Sequence, residues 1–263
     1  MNFYKIFSEA EAFTQAQTFY ESIGSDFPRN AEAQKLVAEV EVNTFRPALE
    51  LQVAGLALLA GKKLQNEIDL PVSFALYVVD HLAMGWFDLL FSHYRVAYSL
   101  CRGAVEASIF EVASSVALAK FPKLWSTPTG TGGSVLNQIK HLIPKEEFAR
   151  FQIAWNLTKA LGHASFTPVV APRQIHSGPG GQAIGVMTLG GPHLPPNKEV
   201  LEDLSLMYGL GAIVGLTTMK MALVPHFGAT EMWVDRYEKL MQAGKIVAEG
   251  AIKKLGPTGY AGT

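Results

Sequence analysis

Between Pro71 and Pro122 the chain carries no proline, and most of that run is apolar. Proline in a helix interior removes a backbone donor and clashes with the turn before it. A long apolar run without proline is therefore free to stay helical. With Ser92 placed to cap a restart, it predicts two helices, about 71–91 and 93–120. In the second, Val96, Leu100, Ala107, Phe110, Ser114 and Leu118 recur at helical spacing. They mark the face expected at the centre of the bundle. An apolar share of 49% against 17% charged residues excludes a disordered chain. The single cysteine, Cys101, excludes an internal disulfide framework and a cysteine-rich zinc site.

The remaining segments extend the helical reading. Ser8 and Glu11 have capping-box spacing and predict a helix to about Ser22, closed at Gly24. Asn30 caps a second helix through Phe45. Pro47 then kinks or restarts the chain into a third, Ala48 to about Leu64. Asp69 and Pro71 mark the next start. Turn formers fill 126–133, followed by helices over Ser134–Ile143 and Pro144–Leu161. Residues 167–196 are dense in proline and glycine, and a short β-hairpin is expected there. Asn197 caps a helix that ends before Pro225, and a last helix spans Thr230–Leu255. No alternation of strand and helix appears, which argues against a parallel α/β sheet. The expectation is one all-α domain over 1–263: a helical bundle of eight or nine helices, with a hairpin-containing insertion at about 167–196.

Charge narrows the function classes. Lys and Arg total 22 against 23 Asp and Glu, a net charge of −1. A general nucleic-acid binder needs a basic surplus for phosphate contacts, and the whole chain has none. Locally, residues 134–196 hold 5 basic and 2 acidic groups, a small surplus. The uncharged stretch Leu204–Met219, with its Gly211-x-x-x-Gly215 spacing, falls short of a spanning length. It reads as a buried core helix, with peripheral membrane association as a third functional reading. No secretory signal is seen in Met1–Phe7, and a cytoplasmic location is expected.

Sharp catalytic signatures are absent. There is no phosphate-loop or nucleophile-elbow motif, and none of the seven histidines has a zinc-site spacing. Glycines 130, 132 and 133 precede a helix start, a place that attracts anions, but no strand or lysine completes a phosphate site. His81 and Asp88 share a helix face, an incomplete metal set. No cofactor and no metal is expected.

Two polar features stand out. Arg102 and Glu106 are four apart in the most apolar helix, with Arg95 seven before Arg102 on the same side. Long charged side chains there must pair or reach water. They are expected to form either a structural ion pair or a polar pocket. The second feature is the helix end at Lys159, Leu161, Gly162, His163 and Ser165. A histidine at a helix C-terminus is stabilised as the cation, and a Lys–His pair suits phosphate chemistry. The plainer reading is a C-terminal cap.

The Arg102-Gly-Ala-Val-Glu106 step and the later Leu161-Gly-His163-Ala-Ser165 turn resemble uncharacterised bacterial HEPN-like helical proteins, over residues 71–223. Some HEPN-like families are metal-independent ribonucleases with an Arg, four to six residues, then a His. This chain departs from that pattern: Arg150 is too far from His163, Lys159 is not an arginine, and Arg173 precedes His176 by three. The leading expectation is a binding protein that self-associates, with Arg95, Arg102, Glu106 and Ser165 as binding residues. The alternative is an enzyme acting on RNA or another phosphodiester, with His163 as acid or base and Lys159 beside it. RNA or an anionic ligand is the partner class these residues imply.

Overall fold

A computed structural model describes residues 7–26, 31–60, 66–121, 131–161, 173–177, 183–187, 198–227 and 230–255. The architecture is an all-α bundle. In chain order its helices are α1 (Glu9–Asp26), α2 (Ala31–Val40), α3 (Arg46–Leu59), α4 (Asn66–Leu90) and α5 (Tyr94–Val116). They continue as α6 (Gly132–Ile139), α7 (Lys145–Leu161), α8 (Lys198–Ala222) and α9 (Glu231–Leu255). Between α7 and α8, strands β1 (Arg173–Ser177) and β2 (Ala183–Met187) pair antiparallel, with Arg173 opposite Met187 and Ser177 opposite Ala183.

The capping box forms: the Ser8 N–H donates to Glu11 Oε2 at 3.0 Å, and the Glu11 N–H to Ser8 Oγ at 3.4 Å. Gly24 does not end α1, which runs on to Asp26; one glycine costs a helix only about 1 kcal/mol. Pro47 is absorbed by a π-type turn, Glu41–Phe45, just before α3. Proline has no N–H for the carbonyl of Asn43, so the ladder widens and the Arg46 N–H reaches back to the Glu41 carbonyl. The helix α3 stops at Leu59 rather than Leu64, because Ala60 turns extended at ψ 139°.

Helix α4 begins at Asn66, so Pro71 lies inside it rather than at its first turn. The reversal between α4 and α5 is made differently from the expected cap. Ser92 takes φ 62°, its N–H donates to the Leu89 carbonyl, and the His93 N–H donates to that of Asp88. This is a Schellman ending with serine where glycine is usual. Helix α5 stops at Val116, short of 120, and α6 starts at Gly132, earlier than Ser134. The Trp155 indole packs so close to Gly133 that a β-carbon there would collide with it, and it would be crowded by one at Gly132.

The centre of the bundle is α8, most of which is buried. By length and composition both α4 and α8 could cross a membrane, but 78% of the α8 window is buried inside the bundle, against 56% for α4. Leu204–Met219 is thus the core helix. The Gln52 side-chain amide donates to the Ala212 carbonyl at 3.0 Å and ties α3 to it. Phe45 stacks on Trp86 with ring centroids 4.1 Å apart, and Tyr208 meets both edge-on. Such aromatic pairs add about 0.5–1.5 kcal/mol beyond their burial.

The face of α5 that meets this core overlaps the expected one only in part. Ala107 and Ser114 are buried and Leu100 and Phe110 half-buried, but Val96 is 49% and Leu118 38% exposed, and Ala97, Cys101, Ala104, Val105, Ser108 and Val112 are buried beside them. The buried face mixes small residues with Val105, Ile109 and Val112.

Candidate ligand groove between α4 and α5

Helices α4 and α5 run antiparallel, joined by the short turn at Ser92. Leu70, Ser73, Phe74 and Tyr77 fall at steps of three and four along one face of α4. Gly103, Glu106, Ala107 and Phe110 do the same on α5. Together they line a half-open groove of about 510 Å³. That lies within the range of pockets that hold small organic molecules. Gly103 and Ala107 keep the α5 wall low. Phe74 and Phe110, 5.8 Å apart, close one end with Phe121 edge-on to both. At the other end Tyr77 stacks on His81 at 3.6 Å.

Glu106 is the charged side chain in this lining. Its Oε1 accepts the Gly132 N–H at 2.8 Å, one of the unpaired donors at the start of α6. Its Oε2 makes no hydrogen bond among the described residues. Ser73 is committed to its own helix, its hydroxyl donating to the Asp69 carbonyl at 2.8 Å.

Arg102 and Glu106 diverge. No ion pair joins them among the described residues. The Arg102 guanidinium lies 5.8 Å from the centre of the Trp155 ring, half-buried between α5 and α7. Beside it the Tyr98 hydroxyl donates to the Thr158 carbonyl. Burial pushes the Tyr98 phenol up to about 12, with Arg102 pulling it back. Arg95 is exposed and takes no part in this seam. Lys159 falls in the last turn of α7, and its side chain, together with His163 and Ser165, lies outside the described residues.

His81 and Asp88 do not come together. Asp88 Oδ1 is 3.0 Å from His93 Nδ1, while His81 has Asp80 at 3.7 Å. Burial holds the His81 imidazole below its ordinary value, against the pull of Asp80. Among the described residues no group of three or more His, Cys, Asp or Glu is placed to hold a metal ion.

Glu111 belongs to no motif in the sequence. It is fully buried on α5, with Oε2 2.7 Å from the Thr218 hydroxyl of α8 and Oε1 without a hydrogen-bond partner among the described residues. Burial pushes its carboxyl up to about 8. The signal was an acid set between Ile109, Phe110, Val112 and Ala113, with no basic residue a turn away.

No known protein family matches this chain, and neither does any curated protein or solved structure.

Proposed function

We propose that this is a cytosolic protein that works by binding a small, largely apolar ligand in the groove between α4 and α5. The observation that carries this reading is the groove itself: about 510 Å³, walled by Phe74, Tyr77 and Phe110, with one carboxylate, Glu106, in its side. Concave, mostly apolar sites with few polar groups are where small molecules bind. Glu106 is the member of the Arg95–Arg102–Glu106 seam that this reading retains. Strands β1 and β2 are read as a hairpin inserted beside the bundle.

Self-association belongs to the same proposal. Leu76 and Met84, two turns apart on α4, are 41% and 39% exposed. A monomeric mass by light scattering at tens of micromolar would remove this part.

The test is binding of a neutral, environment-sensitive dye such as Nile red. Ser73 is exposed at the groove mouth, so Ser73→Trp fills the groove without touching the core. Dye affinity should fall at least about tenfold while the melting temperature holds, a change of about 1.4 kcal/mol. Equal dye binding by the variant and the parent protein would overturn the assignment.

A further inference from the structure

Resting on the groove reading above, we infer that the ligand is an organic cation, a hydrophobic amine or quaternary ammonium, seated between the Tyr77 and Phe74 rings and the Glu106 carboxylate. Aromatic faces carry negative potential and attract a cation within about 6 Å. Glu106 adds a full negative charge in the same wall, with Oε2 free of hydrogen bonds among the described residues.

The charges nearby do not cancel it. Arg102, one turn earlier, is turned to Trp155 on the side facing α7. Burial pushes the His81 imidazole below its ordinary value, which disfavours its cation. The α6 amide end neutralises part of the Glu106 charge through Oε1, to the extent of about half a charge at a helix end.

Each class of occupant therefore meets a different energy. An anion would be repelled by Glu106. A neutral ligand without a donor would strip water from Oε2 and leave it unpaired, at about 1–3 kcal/mol, more for a charged group, and an alcohol would pair it without supplying a counter-charge. A cation replaces that water with a counter-charge and lies on ring faces as well. Its apolar body fills the space between Leu70, Ala107 and Phe110.

The experiment compares phenylbutylamine, phenylbutanol and phenylbutyrate by calorimetry on the full chain. The three share one apolar body and differ in charge. The amine should bind at least about tenfold tighter than the alcohol, and the acid weakest. Glu106→Gln keeps the shape and the acceptor for the Gly132 N–H, and should bring the amine-to-alcohol ratio down to about the two- to fivefold that the rings alone supply. Tyr77→Leu, at a half-exposed position where folding is not at stake, should weaken the amine about two- to fivefold and spare the alcohol. Equal binding of amine and alcohol, or a ratio unmoved by Glu106→Gln, overturns the cation inference and leaves the groove assignment standing. If none of the three binds, the groove assignment falls and the inference with it.

Discussion

The Thr218 hydroxyl stands between two acceptors: Glu111 Oε2 at 2.7 Å across the α5–α8 contact, and the Gly215 carbonyl at 2.9 Å in its own helix. A hydroxyl has one proton to give. If it goes to Gly215, the short contact to Glu111 is a hydrogen bond only when the carboxyl carries the proton. Burial favours the same state, since an ionised carboxylate in this core would have no counter-charge. A protonated Glu111 would complete a relay, the acid donating to Thr218 and Thr218 to the Gly215 carbonyl, whereas an ionised Glu111 accepts from the Thr218 hydroxyl.

Stability should consequently fall as the solution becomes alkaline. The folded Glu111 carboxyl is raised from the ordinary 4.5 to about 8, so between those values the folded chain holds a proton that the unfolded chain has lost. Stability is full below the lower value, declines through the window and levels off above about 8. The total is on the order of 5 kcal/mol, the free-energy equivalent of that difference. Glu111→Gln, which donates without titrating, should remove this part of the slope. Urea unfolding of both proteins at a series of pH values checks it. Parallel curves for the two would show that Glu111 does not titrate with folding.

Ser92 carries the αL residue of the α4–α5 turn and is buried, with its Oγ 3.2 Å from the Tyr94 hydroxyl. The groove walls depend on this reversal, because it sets α4 beside α5. A β-branched residue is strained at positive φ, so Ser92→Val should cost about 1–3 kcal/mol. Ser92→Gly relieves the backbone but gives up the Tyr94 contact, and should lie within about 1 kcal/mol of the parent. Thermal melts rank the three. Ser92→Val melting at or above the parent temperature would contradict the turn assignment.

What the sequence made legible follows from which forces are local. Proline placement and capping act within one turn, so the Ser8–Glu11 start and most helix boundaries could be read directly. The all-α class followed from the same signals. The inward face of α5 was legible only in part: Ala107 and Ser114 of the periodic Val96–Leu100–Ala107–Phe110–Ser114–Leu118 face are buried, but Val96 and Leu100 lie one position, a rotation of about 100°, from the buried Ala97 and Cys101. Of the site, Glu106 stood out as a charge in an apolar helix. Its divergence from Arg102 depends on Gly132 and Trp155, which are remote in sequence. Glu111 belongs to no motif, and its partner Thr218 is 107 residues away. Pro71 misled in the opposite direction: it suggested a start, but α4 begins at Asn66 and runs through it.

The close approach of α4 to α8 is set by Gly85 and Tyr208. The Tyr208 hydroxyl donates to the Ala97 carbonyl of α5, passing over Gly85, where a β-carbon would meet that hydroxyl first. Leu100 Cβ would lie 2.9 Å from the same added carbon. Gly85→Ala is thus an overpacking change and should cost about 1–3 kcal/mol, despite alanine's better helix propensity. Tyr208→Phe alone loses one buried hydrogen bond, about 0.5–1.5 kcal/mol. Combined, the two should cost less than their sum, because removing the hydroxyl clears the nearer obstacle. The relief is partial, since the ring Cζ that phenylalanine keeps also lies 2.9 Å from the added carbon, and the Leu100 Cβ of the neighbouring helix cannot rotate away. A double-mutant cycle by denaturant unfolding should give a favourable coupling of about 0.5–1.5 kcal/mol, smaller than the penalty of Gly85→Ala. Strict additivity would mean that α4 and α8 do not meet at this pair.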